Sequence, residues 1–120
     1  MPGRPVVLIE IPTKDPKASG DFYKQMFAWD IQTMAEPAPY TMFHAENTGG
    51  GFTEVGEQTK VGDVLVYILS DNLEADLKKI ESLGGKTVMP KMVVGGFGEM
   101  AVFTDPTGNR VALWKPYSPG

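Results

Sequence analysis

Glu10 stands inside an otherwise aliphatic run, Val6-Val7-Leu8-Ile9-Glu10-Ile11. A carboxylate among apolar side chains can take a proton or anchor a ligand, while one that is ion-paired or turned to solvent does neither. His44 is the single histidine. Imidazole suits proton transfer near neutrality, and the alternative is a residue that closes a strand before Glu46-Asn47. One histidine excludes a two-His-one-carboxylate iron centre within one chain, and a symmetric dimer still brings one His to each site. There is no cysteine, so disulfides, Cys-ligated zinc, iron–sulfur clusters and thiol catalysis are excluded. Metal chemistry is left with Glu10, Glu54 and His44; Glu10 and Glu54 with water could form an all-oxygen site for magnesium or calcium.

A further motif is Gly95-Gly96-Phe97-Gly98. With Ala101 it formally fits a dinucleotide fingerprint, but a strand follows where a phosphate needs a helix N-terminus. It reads as a glycine-hinged loop with Phe97 at its tip, able to close over a site, or as a plain long hairpin.

These residues must be carried by a small scaffold. At 120 residues, 42% hydrophobic and 22% charged, the chain makes one globular domain. Fourteen Gly and ten Pro point to many turns and a sheet-rich fold. A net charge of -4 without basic clusters argues against nucleic acid. The start lacks the pattern of a signal peptide and no apolar run reaches about 20 residues, so a soluble cytoplasmic protein without a membrane partner is expected.

Val6–Ile11 reads as a strand stopped by Pro12, and Asp15-Pro16 opens a helix with a capping carboxylate and a proline at its first position. In that helix Ala18, Phe22 and Met26, with Ser19, Tyr23 and Phe27 beside them, form an apolar stripe expected to pack on a sheet. Trp29–Met34 and Tyr40–Ala45 read as strands, with Glu36–Pro39 irregular between them. Gly49-Gly50-Gly51 reads as a turn, and Phe52–Val55 as a short fourth strand. The plan then repeats. Asp63–Leu69 is a strand, Asp71 opens a helix carrying Leu73, Leu77, Ile80 and Leu83, and Gly84-Gly85 end it. Lys86–Met89 is a strand broken by Pro90. Met100–Thr104 and Asn109–Trp114 are strands joined by Asp105-Pro106-Thr107-Gly108, whose residues suit a type I turn. Two such halves would complete one core, with a cleft between them.

The order Ile9-Glu10-Ile11-Pro12, Asp15-Pro16, Phe22-Tyr23, Phe27-Ala28-Trp29, Gly49-Gly50-Gly51 and Ala101-Val102-Phe103-Thr104-Asp105-Pro106-Thr107-Gly108-Asn109 with Leu113-Trp114 resembles the glyoxalase, bleomycin-resistance and extradiol-dioxygenase superfamily, the vicinal oxygen chelate fold. It is most similar to the branch of small proteins related to lactoylglutathione lyase. The resemblance implies a single α+β domain over 1–120. It would have two βαβββ modules, about 5–56 and 62–116, forming an open, strongly curved eight-stranded mixed sheet with helices on its convex face. It also implies a homodimer and, in the metal enzymes, a divalent ion on the concave face. The matching ligand positions fall on Leu8, Leu65 and Ala112, which cannot bind metal, and near Phe52–Glu54, where Glu54 is the one ligand-type residue.

No cofactor is therefore expected. In the family register Val7, Ile9 and Ile11 pack on the helix, and Leu8, Glu10, Leu65, Tyr67, Ala112 and Trp114 line the cleft, with Phe97 at its mouth. The expected function is binding of a small apolar or aromatic molecule, with any catalysis limited to proton transfer by Glu10. Two alternatives are a metal-dependent lyase, isomerase or dioxygenase with ligands at other positions, and a module that holds a protein partner.

Overall fold

The computed structural model describes residues 3–35 and 39–117. The chain is α+β, and the described residues form eight strands and two helices: β1 (Val6–Thr13), α1 (Pro16–Phe27), β2 (Asp30–Met34), β3 (Tyr40–His44), β4 (Gly49–Glu54), β5 (Leu65–Leu69), α2 (Leu73–Ser82), β6 (Lys86–Val94), β7 (Gly98–Thr104) and β8 (Arg110–Pro116). It divides into two compact units, Leu8–Leu65 and Met1–Val7 with Val66–Gly120. Among the described residues no helix is long and apolar enough to cross a membrane. Of the irregular stretch expected at Glu36–Pro39, residues 36–38 lie outside the described residues.

In the unit Leu8–Leu65 the strands run in the order β2-β3-β4-β1, with β1 and β4 parallel and the other neighbours antiparallel. β1 continues through Pro12 to Thr13. Thr13 Oγ1 accepts the Asp15 amide at 2.9 Å and lies 2.7 Å from Ser19 Oγ, which fixes the turn into α1. Asp15 caps that helix by accepting the Ala18 amide, and Pro16 opens it, as the sequence implied. Ala28 ends it with a φ of 60°.

The facing of α1 differs from expectation. Phe22 and Met26 are 59% and 67% exposed, and Phe27 is exposed as well. The helix rests instead on Gly20, where a Cβ would stand 3.0 Å from Ile31 Cγ2, so the backbone itself comes down on the sheet. Beside it Tyr23 stacks on Trp29 at 4.8 Å, and Trp29 on Phe43 at 4.3 Å. The period was right, but the smallest residue chose the buried side. Gly49-Gly50-Gly51 is also not a turn: all three lie in β4, paired on both sides.

In the other unit the order is β5-β8-β7-β6, with β5 and β8 parallel. α2 buries Leu73 and Leu77 on Ala101 and Leu113, with Ile68, Ile80 and Phe103 alongside. Leu83, expected on that stripe, is exposed. The cap of α2 is Asn72 rather than Asp71, its side chain accepting the Ala75 amide at 3.0 Å. β6 passes through Pro90 rather than ending there. It is the outermost strand, paired to β7 with register shifts around Pro90, so the missing N–H interrupts no second ladder. Gly95-Gly96-Phe97 closes a tight hairpin between Val94 and Gly98, with the Phe97 amide on the Val94 carbonyl at 3.0 Å. At the turn after β7, Asp105 accepts the amides of Thr107 and Asn109, and the Gly108 amide bonds the Asp105 carbonyl at 2.9 Å. Arg4 is held on α2 by a two-pronged contact with Asp76, one prong 2.8 Å.

Candidate functional site

Strand alternation places Ile9 and Ile11 on the α1 side of the sheet and Leu8 and Glu10 on the other, as the sequence implied. Glu10 lies opposite Gly51 on β4, and Gly51 lies opposite Met42 on β3. With no side chain at Gly51, the ring of Tyr40 lies over it. A Cβ there would stand 2.7 Å from Tyr40 Cε2 and closer still to the hydroxyl. The ring thus reaches across a strand, and its hydroxyl donates to Glu10 Oε2 at 3.1 Å. Gly50 does the same on the opposite face, where a Cβ would meet Phe43 Cζ at 2.8 Å. Glycine inside a strand here marks the close approach of a ring on each face.

Burial pushes the Tyr40 phenol well above its ordinary pKa, and the charge of Glu10 and the hydrogen bond to it add to the rise. Tyr40 is therefore a neutral donor across the physiological range, holding one oxygen of Glu10. Glu10 and Tyr40 are on the wall of a cavity of about 300 Å³. Thr53 and Glu54 supply its other polar groups, together with Thr41, and Pro16, Pro39 and Phe52 its apolar ones. The Thr53 hydroxyl oxygen is buried without a hydrogen-bond partner. Tyr40, Gly51 and Thr53 were not among the residues expected at a site. The three consecutive glycines were their signal, had they been placed in a strand.

The other expected residues fall as follows. Leu8 and Leu65 are half-buried in the same unit as Glu10. His44 is exposed and pairs with Gly49, five residues before Glu54 on β4, or about 16 Å along a strand. His44 and Glu54 thus do not converge. Among the described residues no three of His, Cys, Asp and Glu come together as a metal-holding group.

In the other unit Tyr67 and Ala112 face each other in register and are 5% and 0% exposed. The Tyr67 hydroxyl lies 4.0 Å from Met100 Sδ. Trp114 is half-buried, edge-on to Tyr67 with ring centres 6.4 Å apart. These side chains lie on the sheet face away from α2, in the rows Tyr67–Ala112–Val102 and Leu69–Trp114–Met100–Met92. Phe97 is exposed at its hairpin tip.

A family model described as a glyoxalase-like domain matches residues 7–114. An anthracycline biosynthesis protein, DnrV, of Streptomyces peucetius is 30% identical over 134 residues, covering 95% of this chain and 47% of its own length. The chain thus spans about half the length of the curated relatives it matches. Methylmalonyl-CoA epimerase from Mycobacterium tuberculosis superposes with a TM-score of 0.72 at 10% identity, covering 95% of this chain and 88% of that one. A glyoxalase/bleomycin resistance protein/dioxygenase superfamily member from Vibrio splendidus 12B01 gives 0.68 at 10% identity over 93% and 98%. At such identities the two structures establish the fold alone.

Proposed function

Because the chain belongs to the glyoxalase-like domain family, we propose that it binds a small organic molecule with an apolar or aromatic body, without a resident metal ion. The observation that carries this reading is the Glu10 carboxylate, held by Tyr40 on the wall of a cavity of about 300 Å³. That volume is at the lower end of the range for small-ligand pockets. The donor set does not fit a divalent ion at the positions the resemblance implies. Leu8, Leu65 and Ala112 stand there, and His44 is remote from Glu54.

Glu10 serves as the polar anchor of the bound molecule. Toward a ligand with an acidic C–H beside a carbonyl, it removes that proton and returns it, so the carboxylate is restored and nothing is oxidised or reduced. Trp114, with Tyr67 edge-on to it, is the proposed stacking surface of the other unit, worth about 0.5–1.5 kcal/mol beyond area burial. A relative named for anthracycline biosynthesis makes planar aromatic compounds the first class to test. The resemblance also makes a homodimer part of the proposal.

Native mass spectrometry of protein purified without chelator, followed by titration with naphthalene derivatives under amide-detected NMR, tests the reading. The expected result is a metal-free dimer whose Glu10, Tyr40 and Thr53 amides shift with the probe. One divalent ion retained per chain, or no shift at those amides, would overturn it.

A further inference from the structure

The strands of the unit that carries Trp114 sort their charged side chains onto two faces. Leu113 and Phe103 pack with α2, and the Thr87 hydroxyl donates to Glu81 at 2.6 Å. Alternation therefore turns their neighbours Ala112, Thr104 and Lys86 to the opposite face. Thr104 pairs with Arg110 on one side and with Lys86 on the other, so these three form one row across β6, β7 and β8. Lys86 and Arg110 are exposed and Thr104 is half-buried. Four residues further along β8, about 14 Å at strand spacing, Trp114 stands on the same face. A Cβ on Gly98 would lie 2.9 Å from Trp114 Cζ2, so the indole spreads over bare backbone. Glu99 is the one acid in the four strands. It belongs to the α2 face, where it accepts the Tyr117 hydroxyl at 3.3 Å. The Asp105 carboxylate, just beyond Thr104, is turned into its own loop and accepts the Thr107 and Asn109 amides. The face turned away from α2 thus has an aromatic platform at one end and two cations at the other, with Val102 and Ala112 paired between them.

Building on the reading of Trp114 as a stacking surface, we infer that this face takes an elongated aromatic carboxylate. Its rings lie on the Trp114 indole and its carboxylate lies between Arg110 and Lys86, with the Thr104 hydroxyl as a third donor. Neighbouring strands are about 4.8 Å apart, which sets the backbones of Lys86 and Arg110 roughly 10 Å apart and lets two long side chains meet one carboxylate. A guanidinium offers five N–H donors, so Arg110 has donors for a carboxylate beside any bond it already makes. Met100, paired with Trp114, and Met92, paired with Met100, offer sulfur to the edge of the bound ring. A cation of the same shape is repelled by the same row, so the face discriminates by repulsion as well as attraction.

The test uses three probes of one shape and different charge, biphenyl-4-carboxylate, 4-biphenylmethanol and 4-biphenylmethylamine, titrated into the protein with amide-detected NMR. The carboxylate is expected to shift the Thr104, Arg110 and Trp114 amides and to bind at least about fivefold tighter than the alcohol, the ratio that corresponds to one exposed ion pair of about 1 kcal/mol. The amine is expected to bind more weakly than the alcohol. Arg110→Gln is expected to weaken the carboxylate about fivefold and leave the alcohol unchanged. Lys86→Gln, at an exposed position on the outermost strand, is expected to act in the same direction, and added salt to mimic both. Equal binding of acid and alcohol, shifts confined to the Glu10 and Tyr40 amides, or an unchanged preference in both variants overturns the inference and leaves the small-molecule reading standing. If neither these probes nor the naphthalene derivatives shift amides in either unit, both readings fall.

Discussion

The Tyr40 hydroxyl reaches Glu10 at 3.1 Å by crossing the bare backbone of Gly51, so a glycine on the strand between them sets the geometry of the pair. Gly51→Ala puts a methyl group where the ring lies. The expected cost is about 1–3 kcal/mol of stability, the range for overpacking, read by urea denaturation. In a double-mutant cycle with Tyr40→Ala the two losses should fall short of their sum, because removing the ring makes room for the methyl. Strict additivity would show that the ring does not lie on Gly51.

Tyr40→Phe keeps the ring and removes the donor. Stability should fall by no more than about 1.5 kcal/mol, the net worth of one hydrogen bond. Probe binding at the cavity should weaken more than stability does, because Glu10 loses the hydrogen bond that the phenol donates to it. Unchanged affinity in a titration of Tyr40→Phe would detach the pair from ligand binding.

Much of the fold was legible in the sequence because its signals are local. Asp15-Pro16 starts a helix by capping chemistry that needs no tertiary partner, and the residues of Asp105–Gly108 suit their turn unaided. What was misread depends on partners distant in sequence. Gly49–Gly51 spells a turn until Phe43 and Tyr40 are known to lie across it. Pro90 spells a strand end until β6 is known to be outermost. The face that α1 buries is set by Gly20 against Ile31, a contact invisible to a hydrophobic period. Within the site, alternation along β1 gave the facing of Glu10, whereas Tyr40 and Thr53 come to the cavity from strands whose register the sequence alone does not fix.

The exposed facing of α1 has a direct check. Phe22→Ser and Met26→Gln should each change stability by no more than about 0.5 kcal/mol, as surface substitutions do. Were the stripe buried, losses of about 2–5 kcal/mol would be expected from large-to-small changes. Urea denaturation of the two variants separates these cases.

Asp105 accepts the Asn109 amide, the Asn109 side chain, and the Thr107 hydroxyl and amide, and these bonds hold its carboxyl down at about 2. A carboxyl depressed on folding contributes stability above its unfolded value, and that contribution is lost as pH falls toward the folded one. The turn should therefore keep its geometry down to about pH 3 and loosen below. Carboxyl-detected NMR should place the Asp105 midpoint near 2. In Asn109→Ala, which removes the side-chain bond and keeps the backbone one, the midpoint should move up. A midpoint at the ordinary carboxylate value in the native protein would contradict the turn.

Asp76 is the acid-sensitive joint of the N-terminal segment. Its hydrogen bonds from Arg4 hold its carboxyl below the ordinary range, with the Ser70 hydroxyl at 2.6 Å acting in the same direction against the opposing effect of burial. The Asp76 side chain is 14% exposed, so water screens the pair only in part. Because the folded pKa is depressed, the stabilisation is complete above the unfolded value near 3.8 and is lost as pH falls through the folded one. Asp76→Asn keeps the shape and removes the charge. At pH 7 it should cost about 1–2 kcal/mol, the scale of a charge-assisted hydrogen bond that is partly exposed. The gap between wild type and variant in urea denaturation should then narrow below about pH 4, as the wild-type carboxyl itself becomes neutral. A gap that stayed constant from pH 7 to pH 3 would mean that the charge of Asp76 contributes nothing, and that Arg4 is held by shape and by the Leu69 carbonyl alone.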